Sequence, residues 1–256
     1  MLEVREINTF YGASQVLHDL SLEVREGEFL GVLGRNGMGK TTLVHTIAGL
    51  LRPRSGTISL AGRPLHQLAP EKIAAAGVAL VPQGHRVFPS LTVKETLTIS
   101  SRKAADGQGW TIDDVYDRFP VLADRSQLRG ALLSGGQQQM LAMGRALVRN
   151  AKLVLMDEPT EGLDPQTVGR IGDVIAELRR RGTSGILVEQ KVDFALHRVD
   201  RAVVVSRGGV VHTAEDPAAL REDTERLRAM LGVGGPVGEA GAAVGDAGGT
   251  DPLPGA

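Results

Sequence analysis

The sequence predicts an α/β protein: a mostly parallel sheet, antiparallel β elements towards the N-terminus and a helical lobe inserted into the sheet domain. Three observations carry this. Short runs rich in Val, Ile and Leu recur between longer amphipathic stretches, the pattern of strands alternating with helices in a sheet covered on both faces. A glycine-rich stretch, GRNGMGKTT at residues 34–42, lies between one such run and a helical pattern. From about residue 91 to residue 149 the β pattern gives way to helical periodicity.

In chain order, strands are expected at residues 2–7 and Phe29–Leu33, with a helix over residues 40–50 ended by the turn chemistry of Arg52-Pro53-Arg54-Ser55-Gly56. Residues 57–60 read as an antiparallel strand closed by Gly62, and residues 77–81 as a further strand. Thr92-Val93-Lys94-Glu95 offers a capping box at the start of the helical lobe, and a longer amphipathic helix follows over residues 137–148. Strands are then expected at Leu153–Asp157, 186–189 and 202–205, with a helix from Pro165 between the first two. Residues 1–231 form the expected domain. Residues 232–256, dominated by Gly, Ala and Pro, read as a disordered tail.

Composition narrows the function classes. A chain of 256 residues suits one large α/β domain with a substantial core. Lys and Arg number 29 against 30 Asp and Glu, a net charge of −1, and no basic cluster is dense enough for a nucleic-acid footprint, so nucleic acid is not an expected partner. Cysteine is absent, which excludes disulfides and thiolate metal sites and suits a reducing compartment. The N-terminus MLEVREINTF has neither the basic start nor the apolar core of a signal peptide, and the apolar runs are far shorter than the ~20 residues of a spanning helix. Work at a membrane would require other subunits to hold the chain there.

GRNGMGKT matches the Walker A spacing, with a strand before it and a helix after it as confirming context. Gly34, Gly37 and Gly39 let the backbone curl, so that the N–H groups of Gly34, Arg35, Asn36, Gly37, Met38, Gly39, Lys40, Thr41 and Thr42 can aim at phosphate oxygens beside a helix N-terminus. Lys40 adds a point charge at the β/γ-phosphates, and the Thr41 hydroxyl can ligate Mg²⁺. The apolar strand Leu153–Asp157 delivers Asp157 and Glu158 at its C-terminal end, where α/β sheets bind ligands. Asp157 is placed to orient Mg²⁺ or its water, and Glu158 to polarise an attacking water as a general base; a solvated acidic turn is the plainer alternative for Glu158.

LSGGQ, residues 133–137, opens the helix of the lobe, with Ser134 lying 94 positions beyond Lys40. Ser134 can donate to a phosphate oxygen, while Gly135 and Gly136 allow close backbone approach at a positive helix N-terminus, and Gln137 completes the pattern. The order and spacing of this segment, the phosphate loop and LVLMDEP resemble the ATP-binding-cassette family, over about residues 2–231. The resemblance implies an ATPase using ATP and Mg²⁺. It also implies that the signature faces the phosphate loop of a different subunit, so that two cassettes sandwich two nucleotides head to tail. Carried over position by position, it makes Tyr11 an aromatic against adenine and Gln83, in Val81-Pro82-Gln83, a glutamine that senses Mg²⁺ and the attacking water and couples to the membrane partner. Asp164 becomes an aspartate crossing the dimer interface. A buried strand-end amide would also explain Gln83, and an N-cap for the helix from Pro165 explains Asp164 nearly as well.

One position departs from the family pattern. After the strand at residues 186–189 most cassettes place a histidine against the γ-phosphate; here it is Gln190, an amide that cannot carry a proton at neutral pH. That substitution, with the run PQGHRVFPSLTVKETL at residues 82–97, resembles the ATPases of branched-chain amino acid importers, in which two non-identical ATPase subunits work with two permeases and an extracytoplasmic solute-binding protein. The implied place is the cytoplasmic face of the membrane, with docking in the groove between sheet domain and helical lobe near residues 83–91. Urea and short-chain amide importers are close alternatives, since Gln83 and Arg35 suit them as well. An exporter ATPase shares every catalytic motif. A soluble non-transport cassette fits least, because such chains carry two cassettes or a long coiled-coil insertion.

Overall fold

The computed structural model describes residues 1–84, 86–104, 107, 109–223 and 225. The tail expected at residues 232–256 lies outside them. The chain opens with β1 (Leu2–Tyr11) and β2 (Ser14–Val24), followed by β3 (Phe29–Leu33), α1 (Lys40–Ile47), β4 (Ser55–Leu60), β5 (Arg63–Pro64), α2 (Pro70–Ala75) and β6 (Val78–Val81). The helical stretch comprises α3 (Val93–Ser100), α4 (Ile112–Arg118), α5 (Pro120–Asp124), a single 3-10 turn (Gly130–Leu132) and α6 (Gly135–Leu147). Then come β7 (Leu153–Asp157), α7 (Pro165–Arg180), β8 (Ser184–Glu189), α8 (Val192–Leu196), β9 (Arg201–Ser206), β10 (Gly209–Ala214) and α9 (Pro217–Glu222).

Two sheets form. The first is antiparallel, in the order β2-β1-β4-β5; the second runs β10-β9-β3-β8-β7-β6, parallel throughout except for the β9–β10 hairpin. Strands β3, β7 and β8 are buried at every residue, as central parallel strands require. Alternate side chains serve two cores. Leu153 and Leu155 face the cluster shared with α1 and the antiparallel sheet, while Val154 and Met156 face the cluster shared with the helical lobe, α7 and α8.

The structure differs from the sequence expectations in several elements. Helix α1 stops at Ile47 rather than Leu50, because Gly49 takes φ 77° and the N–H groups of Leu50 and Leu51 turn back onto the carbonyl of His45, a left-handed C-terminal cap. Strand β1 runs to Tyr11, and β2, β5 and β10 are additional strands.

Candidate active site

The phosphate loop hangs between the end of β3 and the start of α1, at the C-terminal edge of the parallel sheet. Gly34, Gly37 and Gly39 have φ of 153°, 76° and 100°, and a Cβ at Gly34 would lie 2.4 Å from the carbonyl oxygen of Val205. The loop closes on its own lysine: Lys40 Nζ donates to the carbonyls of Gly34 (2.8 Å) and Arg35 (3.0 Å). Around it lies a cavity of about 450 Å³ lined by Val16, Asn36, Gly37, Gly39, Lys40, Thr41, Thr42, Gln83, Glu158 and Gln190. The Met38 side chain turns away from that cavity, its sulfur accepting from the N–H of Arg207, and Arg35 is exposed, contributing its carbonyl rather than its guanidinium.

Glu158 is the hub. It sits just beyond β7 with φ 48°, its N–H donating to Val188 O at 2.9 Å, and its side chain is buried. Such a backbone in a non-glycine residue is held by its surroundings rather than by preference. Oε1 lies 3.6 Å from Lys40 Nζ, while Oε2 accepts from the amides of Gln83 (3.1 Å) and Gln190 (2.5 Å). Gln83 Nε2 also donates to Glu161 at 2.8 Å. A carboxylate poised between a lysine and two amides, facing a loop built for phosphate, can hold a water or take its proton.

Asp157 is fully buried at the end of β7, and its Oδ1 accepts from the Thr41 hydroxyl at 3.2 Å. Burial pushes its pKa up from 3.8 to about 6; the Thr41 bond and Lys40 pull it down, and Glu158 and Glu161 push it further up. Its Oδ2 is buried with no hydrogen-bond partner. An orphaned carboxylate oxygen beside a threonine hydroxyl fits a hard cation. Among the described residues no three His, Cys, Asp or Glu gather into a metal cluster.

The signature occupies a different place. Ser134 caps α6: its Oγ accepts from Gln137 N at 3.4 Å and the Gln137 side chain accepts from Ser134 N at 3.1 Å. Neither Ser134 nor the other signature residues, Gly135, Gly136 and Gln137, line the phosphate cavity. Gly136 instead faces Asp164 and Thr167, and Asp164 caps α7 by accepting from Thr167 N (3.0 Å) and Thr167 Oγ1 (2.7 Å). Tyr11 ends β1 at the tip of the first hairpin, 48% exposed and outside the cavity lining, in the same hairpin as the lining residue Val16.

The sequence reading did not single out Glu161, Thr160 or Glu189. Glu189 is 2% exposed at the end of β8, and its Oε1 accepts from Thr160 N (3.1 Å) and Thr160 Oγ1 (2.7 Å). A depression of about 420 Å³ includes Leu50, Ile73, Phe88, Ile99, Arg145 and Arg149; of the expected docking residues 83–91 it takes in Phe88 and not Gln83.

Residues 17–161 match the family model described as ABC transporter. The chain is 42% identical to the high-affinity branched-chain amino acid transport ATP-binding protein BraG of Pseudomonas aeruginosa, over 91% of this chain and 100% of that protein. It is 33% identical to the lipopolysaccharide export system ATP-binding protein LptB of Haemophilus influenzae, over 91% and 97% respectively. Its fold matches a crystal structure of a nucleotide-free ATP-binding cassette from an ABC transporter with a TM-score of 0.76 at 23% identity, over 89% of this chain and 97% of that one.

Proposed function

The chain belongs to the ABC transporter family and is an ATP-binding, ATP-hydrolysing subunit, and on that premise we propose that it powers uptake of branched-chain amino acids through separate membrane permeases. The observation that carries the importer reading is the end-to-end likeness to BraG, 42% identical over that protein's full length. Gln190 and the run at residues 82–97 favour the same reading. The likeness to LptB makes an exporter ATPase the second reading, at 33% identity.

In this proposal the triphosphate lies along the loop, with Lys40 leaving the Gly34 and Arg35 carbonyls to meet the β/γ-phosphates and the amides of residues 34–42 taking the remaining oxygens. Glu158 accepts a proton from water attacking the γ-phosphorus, and the Gln83 and Gln190 amides fix its carboxylate. Thr41, Gln83 and, through water, Asp157 would hold Mg²⁺, which when bound neutralises charge developing on the phosphates. Tyr11 stacks on adenine. Ser134, Gly135, Gly136 and Gln137 serve the nucleotide of a second ATPase subunit, with Asp164 at the junction.

No helix among the described residues is long and apolar enough to cross a membrane. Attachment to the cytoplasmic face is therefore assigned to the permeases, docked where exposed Leu50, Phe88 and Ile99 rim the groove beside Arg145 and Arg149. A solute-binding protein completes the system. The test is reconstitution of the chain with the permeases that co-purify with it. Leucine, isoleucine or valine with the binding protein is expected to raise ATP turnover at least ~5-fold, the low end of typical coupling free energies of about 1–3 kcal/mol. Stimulation by urea or a short amide instead moves the substrate class, and stimulation by a lipid with no binding protein present rejects the importer reading.

A further inference from the structure

We propose that Glu189 is a positioning residue for ATP hydrolysis, clamping the loop that carries Glu158 so that its carboxylate stays in register with Gln190. The inference rests on the reading of Glu158 as the group that activates water.

The loop after β7 is tied to the end of β8 at three successive points. Glu158 N donates to Val188 O (2.9 Å), Thr160 donates its N–H and its hydroxyl to Glu189 Oε1 (3.1 and 2.7 Å), and Lys191 Nζ donates to Thr160 O (3.2 Å). Glu189 ends β8 and Gln190 is the first residue beyond it. These two neighbours grip the loop at different points, Glu189 at Thr160 and Gln190 at the Glu158 carboxylate.

Thr160 is 0% exposed and Glu189 2%, so the contact is dry and its geometry is fixed by packing. Burial raises the pKa of Glu189, and the Thr160 donors and the Lys191 backbone N–H counter this by favouring the ionised form. An acid is a costly way to hold one threonine hydroxyl, which a neutral acceptor could also bind. What the acid adds is a strong acceptor for two donors at once, stiffening a loop whose first residue is held at φ 48°. The same loop continues through Glu161, which receives the Gln83 amide, to Asp164, which caps α7 beside Gly136. A clamp at Thr160 therefore fixes the water-activating end of the loop relative to its signature-facing end.

A purely structural acid and a positioning acid differ in what their loss changes. The test uses the full-length chain assembled with its membrane partners, measuring ATP affinity, turnover and unfolding midpoint separately. Thr160→Val, which deletes one donor at constant shape, is expected to lower turnover ~5–10-fold with ATP affinity within ~2-fold of the parent. Glu189→Gln, which keeps an acceptor oxygen, is expected to retain more turnover than Glu189→Ala. In a Gln190→Ala background, Thr160→Val is expected to change turnover less than ~2-fold, because both act on one carboxylate. Independent, multiplying effects overturn the proposal, as does a lowered midpoint with turnover per folded molecule unchanged. Glu158→Gln separates the layers: full turnover in that variant removes the water-activating reading itself, whereas its loss alongside unaltered turnover in Thr160→Val removes the clamp alone.

Discussion

Among single residues, Asp157 gives the sharpest solution signature, because its carboxyl is buried beside a lysine it does not touch and keeps one oxygen unpartnered. Its pKa lies at about 6 in the folded chain against 3.8 when unperturbed, so between those values the folded state holds a proton that the unfolded chain has released. The stabilisation from this group is thus complete below its unfolded pKa and is lost as pH rises through its folded one, a swing of up to about 3 kcal/mol in nucleotide-free protein. Asp157→Asn cannot titrate. Its stability relative to the parent is expected to improve steadily between pH 4 and pH 7, while Mg²⁺-dependent ATP affinity falls. Urea unfolding at several pH values measures this, and a difference constant across that range would contradict the burial argument. Asp157, Glu158 and the loop from Gly34 were legible in the sequence because fixed residue types at fixed spacing on strand ends leave few other readings. Glu189 and Thr160 were not: a lone acid closing an apolar strand looks like a strand end, and its partner 29 positions away is supplied only by the fold. Glu161 was hidden for the same reason, since Gln83 reaches it across 78 positions.

At the scale of elements, α6 shows stability and activity set against each other. Gly136 sits in the first turn of the helix, where glycine is a poor helix former, yet a Cβ there would meet Thr167 at 3.5 Å and Asp164 at 3.9 Å, ordinary contact distances. Gly136→Ala is therefore expected to stabilise the chain by about 0.5 kcal/mol, through the unfolded state, while lowering ATP turnover by crowding the nucleotide of the partner cassette. Thermal unfolding read beside steady-state turnover checks both signs, and a stabilised variant with full turnover would show that the glycine does not serve close approach. The central strands were readable from the short apolar runs within β3, β7 and β8, and the capping box at Thr92 marked α3, whereas the box that Ser134 and Gln137 form at α6 was not read as one. Strand β2 was not. Its buried residues Leu17, Leu20 and Val24 follow spacings of three and four, which imitate a helix, because bulges at Glu6 (φ 49°) and Asp19 (φ 44°) shift the register against β1. Strand β10 escaped notice as a half-exposed edge strand without clean alternation. The end of α1 was misplaced because Gly49 was read as helical when it is the cap.

For the whole molecule the decisive fact is that one chain holds a phosphate cavity and a signature that does not line it. Ser134 and Gly136 turn to Gln137, Asp164 and Thr167 of their own chain, at the capped and exposed N-terminus of α6, while Lys40 and Glu158 face an open cavity. If two such halves must meet across a subunit boundary, turnover by the isolated chain is expected to be weak and to rise more steeply than linearly with protein concentration. Complementation makes the test specific. Lys40→Ala removes the phosphate loop's cation and Ser134→Arg blocks the signature, so each variant alone is expected to lose turnover. Mixed, they rebuild one composite site per mixed dimer; random pairing makes half the dimers mixed with one working site of two, or about a quarter of parental turnover. Turnover linear in concentration, or full turnover by Ser134→Arg alone, would instead place a complete active site within a single chain. That outcome is at odds with the separation of cavity and signature in the fold.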